Sequence, residues 1–111
     1  MPQPFEQASL DDFDRQWKVN VRVPYAITRA SIPHLRPDGS VIFIASIPGH
    51  VGFRNSAAYC ATKGAAELMS KAMTLEFARE EIRFNCIAPG NIRTAMNEHL
   101  SRRDPRQCRT L

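Results

Sequence analysis

The chain has 111 residues and a formal net charge of +4 at pH 7, with 43% hydrophobic and 23% charged residues. These values fit one small globular domain and argue against a disordered, fibrous or membrane-spanning protein. No apolar run approaches the roughly 18 residues that cross a bilayer. The acidic segment 1–14 also has no hydrophobic stretch like a signal peptide, so we expect a cytoplasmic protein without membrane association.

The basic end and the cysteines indicate no further ligand. The arginines of segment 97–111 are not interleaved with aromatic residues, as base-stacking surfaces would require, so we expect a solvated tail and no nucleic-acid site. The cysteines are odd in number and lack the CxxC spacing of zinc sites. We therefore expect reduced thiols and no bound metal at Cys60, Cys86 and Cys108.

The first predicted element is a helix over about residues 10–35. Ser9 is suited to cap it, and the carboxylates of the first turn suit its positive end. Pro24 interrupts the helical pattern, because proline has no N–H to donate to the carbonyl of Asn20. We therefore expect a kink there that leaves the Asn20 carbonyl free.

Two strands are predicted next. A turn signal at residues 37–39 precedes a continuous apolar run over 41–45, which is typical of a buried parallel strand. Ser46 then lies at the carboxyl end of this strand. A second strand is predicted over 82–88, after an intervening helix. Strand, helix and strand in this order predict a right-handed parallel crossover.

The intervening helix, over residues 56–79, has two apolar faces. The methionine face consists of Ala66, Met69, Met73 and Phe77. One face can cover the sheet while the other meets a partner subunit, or both can be buried in one core, and the sequence favours neither alternative. The second face, the alanine–leucine stripe, consists of Ala58, Ala61, Ala65, Leu68, Ala72 and Leu75.

Tyr59 and Lys63 lie one helical turn apart on this helix. A phenol, with a usual pKa of about 10, needs a fixed cation beside it and a donor facing the reacting oxygen to transfer protons near neutrality. Lys63 and Ser46 could supply them. Ligand sites in open α/β sheets lie at the carboxyl ends of strands, so we expect these side chains to converge there with Pro89 and Gly90.

With these residues the chain resembles the short-chain dehydrogenase/reductase family over nearly all of residues 4–96. The resemblance implies an α/β fold, part of a Rossmann-like three-layer architecture with parallel strands and crossover helices. It also implies an oxidoreductase that transfers hydride between NAD(P) and a small-molecule alcohol or carbonyl. The matching residues are Asn20 in Lys18-Val19-Asn20-Val21, Ser46 within 44–49, Tyr59, Lys63, and the segment 85–94.

The resemblance also implies roles for these residues. Tyr59 would be the acid/base, and Ser46 would hydrogen-bond the reacting oxygen. Lys63 would lower the pKa of the tyrosine and bind the nicotinamide ribose, while Asn20 would hold a water in a proton relay to Lys63. The cofactor, NAD or NADP, would contact Tyr59, Lys63, Pro89, Gly90, Ile92 and Thr94.

The sequence defines the residues of the substrate pocket less well than the catalytic and cofactor-binding residues. His50 and Phe53 follow Ser46 and are candidates to line it, although for His50 a solvated loop position is an equal alternative. The glycines nowhere reproduce the family's Gly-x-x-x-Gly-x-Gly turn, and the last strand and helix are absent too. Because that turn donates N–H groups to the pyrophosphate, we expect weaker cofactor binding.

We therefore expect one partial domain over residues 1–111, the catalytic middle segment of the fold. Two functions stay open. One is a dehydrogenase/reductase that works as a homo-oligomer. The other is a catalytically incomplete fragment that acts by pairing with a full-length relative. In this family the helices that contain the residues matching Asn20 and Tyr59 commonly build the dimer interface, which makes the second function concrete.

Overall fold

The computed structural model of the chain describes residues 2–92 and 94–95. A π-helical turn joins the first two helices, and short 3-10 turns lie at Phe5–Gln7 and Ala78–Glu80. The tail expected over 97–111 and the thiol of Cys108 lie outside the described residues. The elements are α1 (Leu10–Trp17), α2 (Val23–Leu35), β1 (Ser40–Ile44), α3 (Ile47–His50), α4 (Ala57–Glu76) and β2 (Arg83–Ile87).

The predicted helix over 10–35 forms as three consecutive helical segments. Ser9 caps α1 as predicted, because its Oγ accepts the backbone N–H of Asp11 at 3.1 Å. Near Pro24 the chain widens into a π-helical turn, Lys18–Arg22, in which the N–H of Val23 donates to the Lys18 carbonyl. Because proline has no backbone N–H, one hydrogen bond of the α-helix cannot form, and the helix accommodates this loss as a wider π-helical turn.

A tight turn leads from α2 into the sheet, as predicted. The N–H of Gly39 donates to the Leu35 carbonyl at 2.7 Å. A Cβ at Gly39 would lie only 2.3 Å from the same carbonyl oxygen, so this approach requires glycine.

The strands β1 and β2 pair in parallel, and α4 crosses between them, as the sequence predicts. Their register runs from Ser40 opposite Arg83 to Ile44 opposite Ile87. Residues of α2 and α4 cover the sheet face that carries the buried phenylalanines. The core consists of Ile32, Phe43, Ala45, Ala66, Ile82 and Phe84.

The two apolar faces of α4 have different surroundings. On the methionine face, Ala66 is buried, and its other members pack against the core. On the alanine–leucine stripe, Leu68 is 67% exposed and Leu75 is 82% exposed. In the described part of the chain, then, only the methionine face covers the sheet. No helix in that part combines the length and apolarity needed to cross a membrane.

Candidate active site

Tyr59 and Lys63, which we call the proton-transfer pair, lie in the first two turns of α4. The Nζ atom of Lys63 is 5.7 Å from the centroid of the Tyr59 ring, within the range of a cation–π contact. Tyr59 is 37% exposed. The phenol therefore lies beside a cation and is accessible to a small molecule from solvent.

A hydrogen bond holds Lys63 in this position. Its Nζ donates to the backbone carbonyl of Ile44, the last residue of β1, at 3.0 Å. An ammonium carries three N–H donors, so this bond engages one of them. The side chain thus ties α4 to the carboxyl end of β1, the edge at which the sequence places the site.

Ser46 and the segment that begins at Pro89 meet at the same edge. The N–H of Ala45 donates to the carbonyl of Ile87 at 2.8 Å, which extends the parallel pairing just past β1. The N–H of Ile47 donates to the carbonyl of Pro89 at 3.3 Å. The structure therefore brings Ser46, the N-cap residue of α3, alongside the segment predicted to bind the nicotinamide end of a cofactor.

Two glycines let α3 approach the proton-transfer pair closely. A Cβ at Gly49 would lie 2.6 Å from the carbonyl carbon of Lys63. A Cβ at Gly64 would lie 3.2 Å from the Gly49 carbonyl oxygen. The backbone of α3 at Gly49 thus packs directly on the backbone of α4 at Lys63 and Gly64. Our sequence reasoning assigned no role to either glycine, although their positions after Ser46 and after Lys63 were the available signal.

Asn20 reaches the site through a residue that the sequence reasoning missed. Its Nδ2 donates to the Oγ1 of Thr62 at 3.2 Å, and that hydroxyl donates to the carbonyl of Tyr59 at 2.8 Å. Thr62 is completely buried. The signal for it was a hydroxyl residue placed between Tyr59 and Lys63. The predicted relay water at the Asn20 carbonyl stays a prediction.

The two residues predicted to line the substrate pocket, His50 and Phe53, are both exposed. Phe53 is half exposed, and His50 has an Nδ1 atom 3.4 Å from Glu67 Oε2. His50 and Glu67 also border a cleft of about 340 Å³ between α4 and β2, whose lining includes neither Tyr59 nor Lys63. His50 thus contacts α4 beside this cleft, and its role toward a substrate stays a prediction.

Glu67 accepts hydrogen bonds from two cationic or titratable neighbours. Lys71 Nζ lies 2.9 Å from its Oε1, and His50 lies at its other oxygen. The hydrogen bond from Lys71, followed by that from His50, lowers the pKa of Glu67 below its usual value. This cluster is more than one helical turn beyond Lys63 along α4.

The other predicted residues within the described part of the chain are Ile92, Thr94 and two of the cysteines. Ile92 and Thr94 follow Gly90 and are both exposed. The thiols of Cys60 and Cys86 are free. The structure thus assembles Ser46, the proton-transfer pair and Pro89 at one edge and connects Asn20 to it through Thr62, while the roles of these residues stay predictions.

Comparison with known proteins gives consistent matches. The model of the family described as short chain dehydrogenase matches residues 1–105. The chain is 40% identical over 104 residues to the L-fucose dehydrogenase of Mus musculus, covering 91% of this chain and 38% of that protein. It is 37% identical over 99 residues to the cyclopentanol dehydrogenase of Comamonas testosteroni, covering 87% and 40%. The chain therefore spans about two fifths of the length of the curated relatives it matches.

Solved structures give the same match. A 4-hydroxyisoleucine dehydrogenase mutant complexed with NADH and succinate superposes with a TM-score of 0.87 at 31% identity, covering 94% of this chain and 44% of that chain. A gluconate 5-dehydrogenase from Burkholderia cenocepacia in complex with NADP and tartrate gives 0.84 at 30% identity, covering 90% and 40%. These neighbours have Rossmann-type folds, so the described α/β unit is part of such a fold.

Proposed function

The chain belongs to the short chain dehydrogenase family, and from this premise we propose that it provides the proton-transfer centre of an NAD(P)-dependent oxidoreductase. The reaction interconverts an alcohol and a carbonyl compound. The observation that supports this most strongly is the placement of Lys63, which lies 5.7 Å from the Tyr59 ring while bonded to the end of β1. Reduction of a carbonyl by hydride also requires a proton donor for the oxygen on which negative charge develops, and on this proposal Tyr59 is that donor.

In the proposed reduction, Tyr59 donates its phenolic proton to the carbonyl oxygen of the substrate. Hydride transfer to the carbonyl carbon, or from the alcohol in the reverse direction, is the chemistry that NAD(P) would supply when bound. The Ser46 hydroxyl donates a hydrogen bond to the same oxygen, and the Lys63 ammonium stabilises the negative charge that develops on the phenol. In the oxidation, Tyr59 takes the hydroxyl proton back.

The residues present suit the nicotinamide and ribose end of such a cofactor. Lys63 engages one of its three N–H groups with Ile44, and the other two can donate to ribose hydroxyls. Pro89 and Gly90 lie beside Ile47, the residue after Ser46, so a nicotinamide held by this segment would lie next to the proposed proton donors. The five glycines of the sequence do not form a Gly-x-x-x-Gly-x-Gly turn, so we assign no pyrophosphate contact to this chain.

Paired tyrosine variants test this function. The sequence contains two tyrosines, and Tyr25 on α2 is exposed, so Tyr25→Phe is a matched control for Tyr59→Phe. We expect Tyr59→Phe to lower kcat by about 100-fold or more and Tyr25→Phe to leave it within about two-fold. The assay offers both cofactors with L-fucose, cyclopentanol and their carbonyl products. Equal rates for the two variants, or no turnover by the unaltered chain, would contradict the proposal.

A second candidate function is assembly, with this chain pairing through the alanine–leucine stripe. The observation in its favour is the exposure of Leu68 and Leu75, two large apolar side chains that lie seven residues apart on one face of α4. On this proposal the partner is a second copy of the chain or a full-length relative. The chain then contributes a helix to an interface, whether or not it turns over a substrate.

Charged substitutions on the stripe test this assembly. Leu68→Lys combined with Leu75→Lys should convert an assembled chain into a monomer in sedimentation velocity, because two buried charges oppose association. Phe5→Lys, at a residue that is 79% exposed outside the stripe, is the control and should leave the assembly intact. A monomer before any substitution, even with a full-length relative present, would exclude this candidate.

Titration with NADH and NADPH then separates the two functions, since only the first requires cofactor binding.

A further inference from the structure

Thr62 is the least exposed residue in the neighbourhood of the proton-transfer pair. Its relative exposure is 0%, although it lies on the same helix as Tyr59, which is 37% exposed. A buried hydroxyl must find hydrogen-bond partners, because leaving it unpaired costs free energy comparable to a lost hydrogen bond. Its partners therefore identify what the residue holds in place.

Those partners belong to two separate elements. The hydroxyl accepts from Asn20 Nδ2 at 3.2 Å and donates to the Tyr59 carbonyl at 2.8 Å. A hydroxyl has one proton to donate, and the amide nitrogen can only donate, so the two bonds use the group in complementary directions. Asn20 and Thr62 are 42 positions apart in the sequence. The pair of bonds thus connects the π-helical turn Lys18–Arg22 to the turn of α4 that carries Tyr59.

We propose that Thr62 is a positioning residue for proton transfer: its hydroxyl holds the Asn20 side chain and thereby fixes the π-helical turn against the proton-transfer pair. This inference rests on the function proposed above. A bond from a threonine hydroxyl to a carbonyl one turn back is common in helices and has no functional meaning by itself. The bond from Asn20 is what extends the contact beyond α4.

Two substitutions separate the hydroxyl from the rest of the side chain. Thr62→Val keeps the shape and removes both hydrogen bonds, and Thr62→Ser keeps the hydroxyl. We expect Thr62→Val to lower kcat about ten-fold with KM within about two-fold, since a buried hydrogen bond that orders the site is lost while binding groups stay. Thr62→Ser should retain about half of kcat or more.

A second threonine of α4 provides the matched control. Thr74 Oγ1 lies 2.8 Å from the carbonyl oxygen of Ser70, within the helix, and 3.1 Å from that of Phe84 on β2, and its single proton is available to either acceptor. Thr74→Val therefore removes a hydrogen bond of α4 away from the proton-transfer pair, at a residue that is more exposed than Thr62. We expect it to lower the melting temperature while kcat stays unchanged. An equal loss of kcat in Thr74→Val and Thr62→Val would show that Thr62 has only a structural role and would overturn the proposal.

A double-mutant cycle tests whether Thr62 acts through Asn20. If it does, Asn20→Ala combined with Thr62→Val should be no slower than Asn20→Ala alone. Of the two bonds that Thr62→Val removes, the one to Asn20 is already broken, and the one to the Tyr59 carbonyl has no functional role in this proposal. Losses of kcat that multiply would mean that the two residues act independently, which contradicts the proposal.

A measurement without turnover keeps this inference separate from the proposed function. If the unaltered chain shows no Tyr59-dependent activity, the proposed function fails. The hydrogen bond between Asn20 and Thr62 can still be tested by NMR hydrogen exchange of the Asn20 side-chain amide. We expect about ten-fold faster exchange in Thr62→Val and no change in Thr62→Ser or Thr74→Val. Unchanged exchange in Thr62→Val would overturn the inference by itself.

Discussion

The two halves of α4 are held in the fold by different forces. The second half is held mainly by apolar packing: Met73 contacts the core, and the ring of Phe77, the residue after α4, lies 5.6 Å from that of Phe84, with one polar contact from Thr74 to β2. The first half is held by directional contacts, from Lys63 to a strand carbonyl and from Thr62 to Asn20. Apolar burial fixes where the helix lies, whereas the polar contacts fix its rotation and register. Proton transfer requires a defined rotation and register of the helix, because these set the position of the Tyr59 hydroxyl.

The largest effect on stability is expected from the second half. Phe84→Ala should reduce the free energy of unfolding by about 3–5 kcal/mol, because it leaves a cavity under α4 where a 5% exposed ring was packed. Urea denaturation measures this. Phe53→Ala, at a half-exposed ring, is the control and should cost less than about 0.5 kcal/mol. Equal losses for the two would mean that the second half of α4 is not held by its core contacts.

An intermediate effect is expected where α3 meets the first half of α4. Gly49→Ala places a Cβ 2.6 Å from the Lys63 carbonyl carbon, so α3 must shift away. Overpacking of this kind costs about 1–3 kcal/mol of stability, and here it should also lower kcat because Ser46 moves with α3. Gly52→Ala is the matched control, since nothing lies within 4 Å of a Cβ there. An active and fully stable Gly49→Ala variant would show that the close approach is not required.

The smallest effect concerns the pH dependence of stability. Hydrogen bonds from Lys71 and His50 lower the pKa of Glu67 in the folded state. A carboxyl with a lowered folded-state pKa stabilises the fold above its unfolded pKa, and this contribution is lost as the pH falls through the folded value. Thermal unfolding should therefore show the unaltered chain more stable than Glu67→Gln near neutral pH, with the difference vanishing in acid. A constant difference across this range would contradict the assignment.

The sequence predicted the elements that are governed by local periodicity. The apolar run over 41–45 and the helical pattern over 56–79 correspond to β1 and α4 within a few residues, because each is read from neighbours along the chain. The meeting of Ser46 with the segment after β2 followed from the geometry of a parallel crossover, which brings the ends of both strands to one edge.

Contacts between distant segments could not be predicted in this way. The bond between Asn20 and Thr62 depends on how two helices rotate against each other, and no sequence pattern specifies that rotation. The disturbance at Pro24 was predictable from its missing N–H, but its form as a π-helical turn depends on the packing of the flanking helices. The contact of Gly49 with Lys63 likewise became visible only once α3 and α4 were placed.

The most direct test of the central claim compares two lysines of α4. Lys63 lies at the Tyr59 ring and bonds to Ile44, whereas Lys71 pairs with Glu67 two turns further along. In a steady-state assay of cofactor-dependent alcohol oxidation, Lys63→Met should lower kcat by about 100-fold or more, while Lys71→Met should stay within about two-fold of the unaltered chain. Equal rates for the two variants would contradict the claim that the first half of α4 forms a proton-transfer centre.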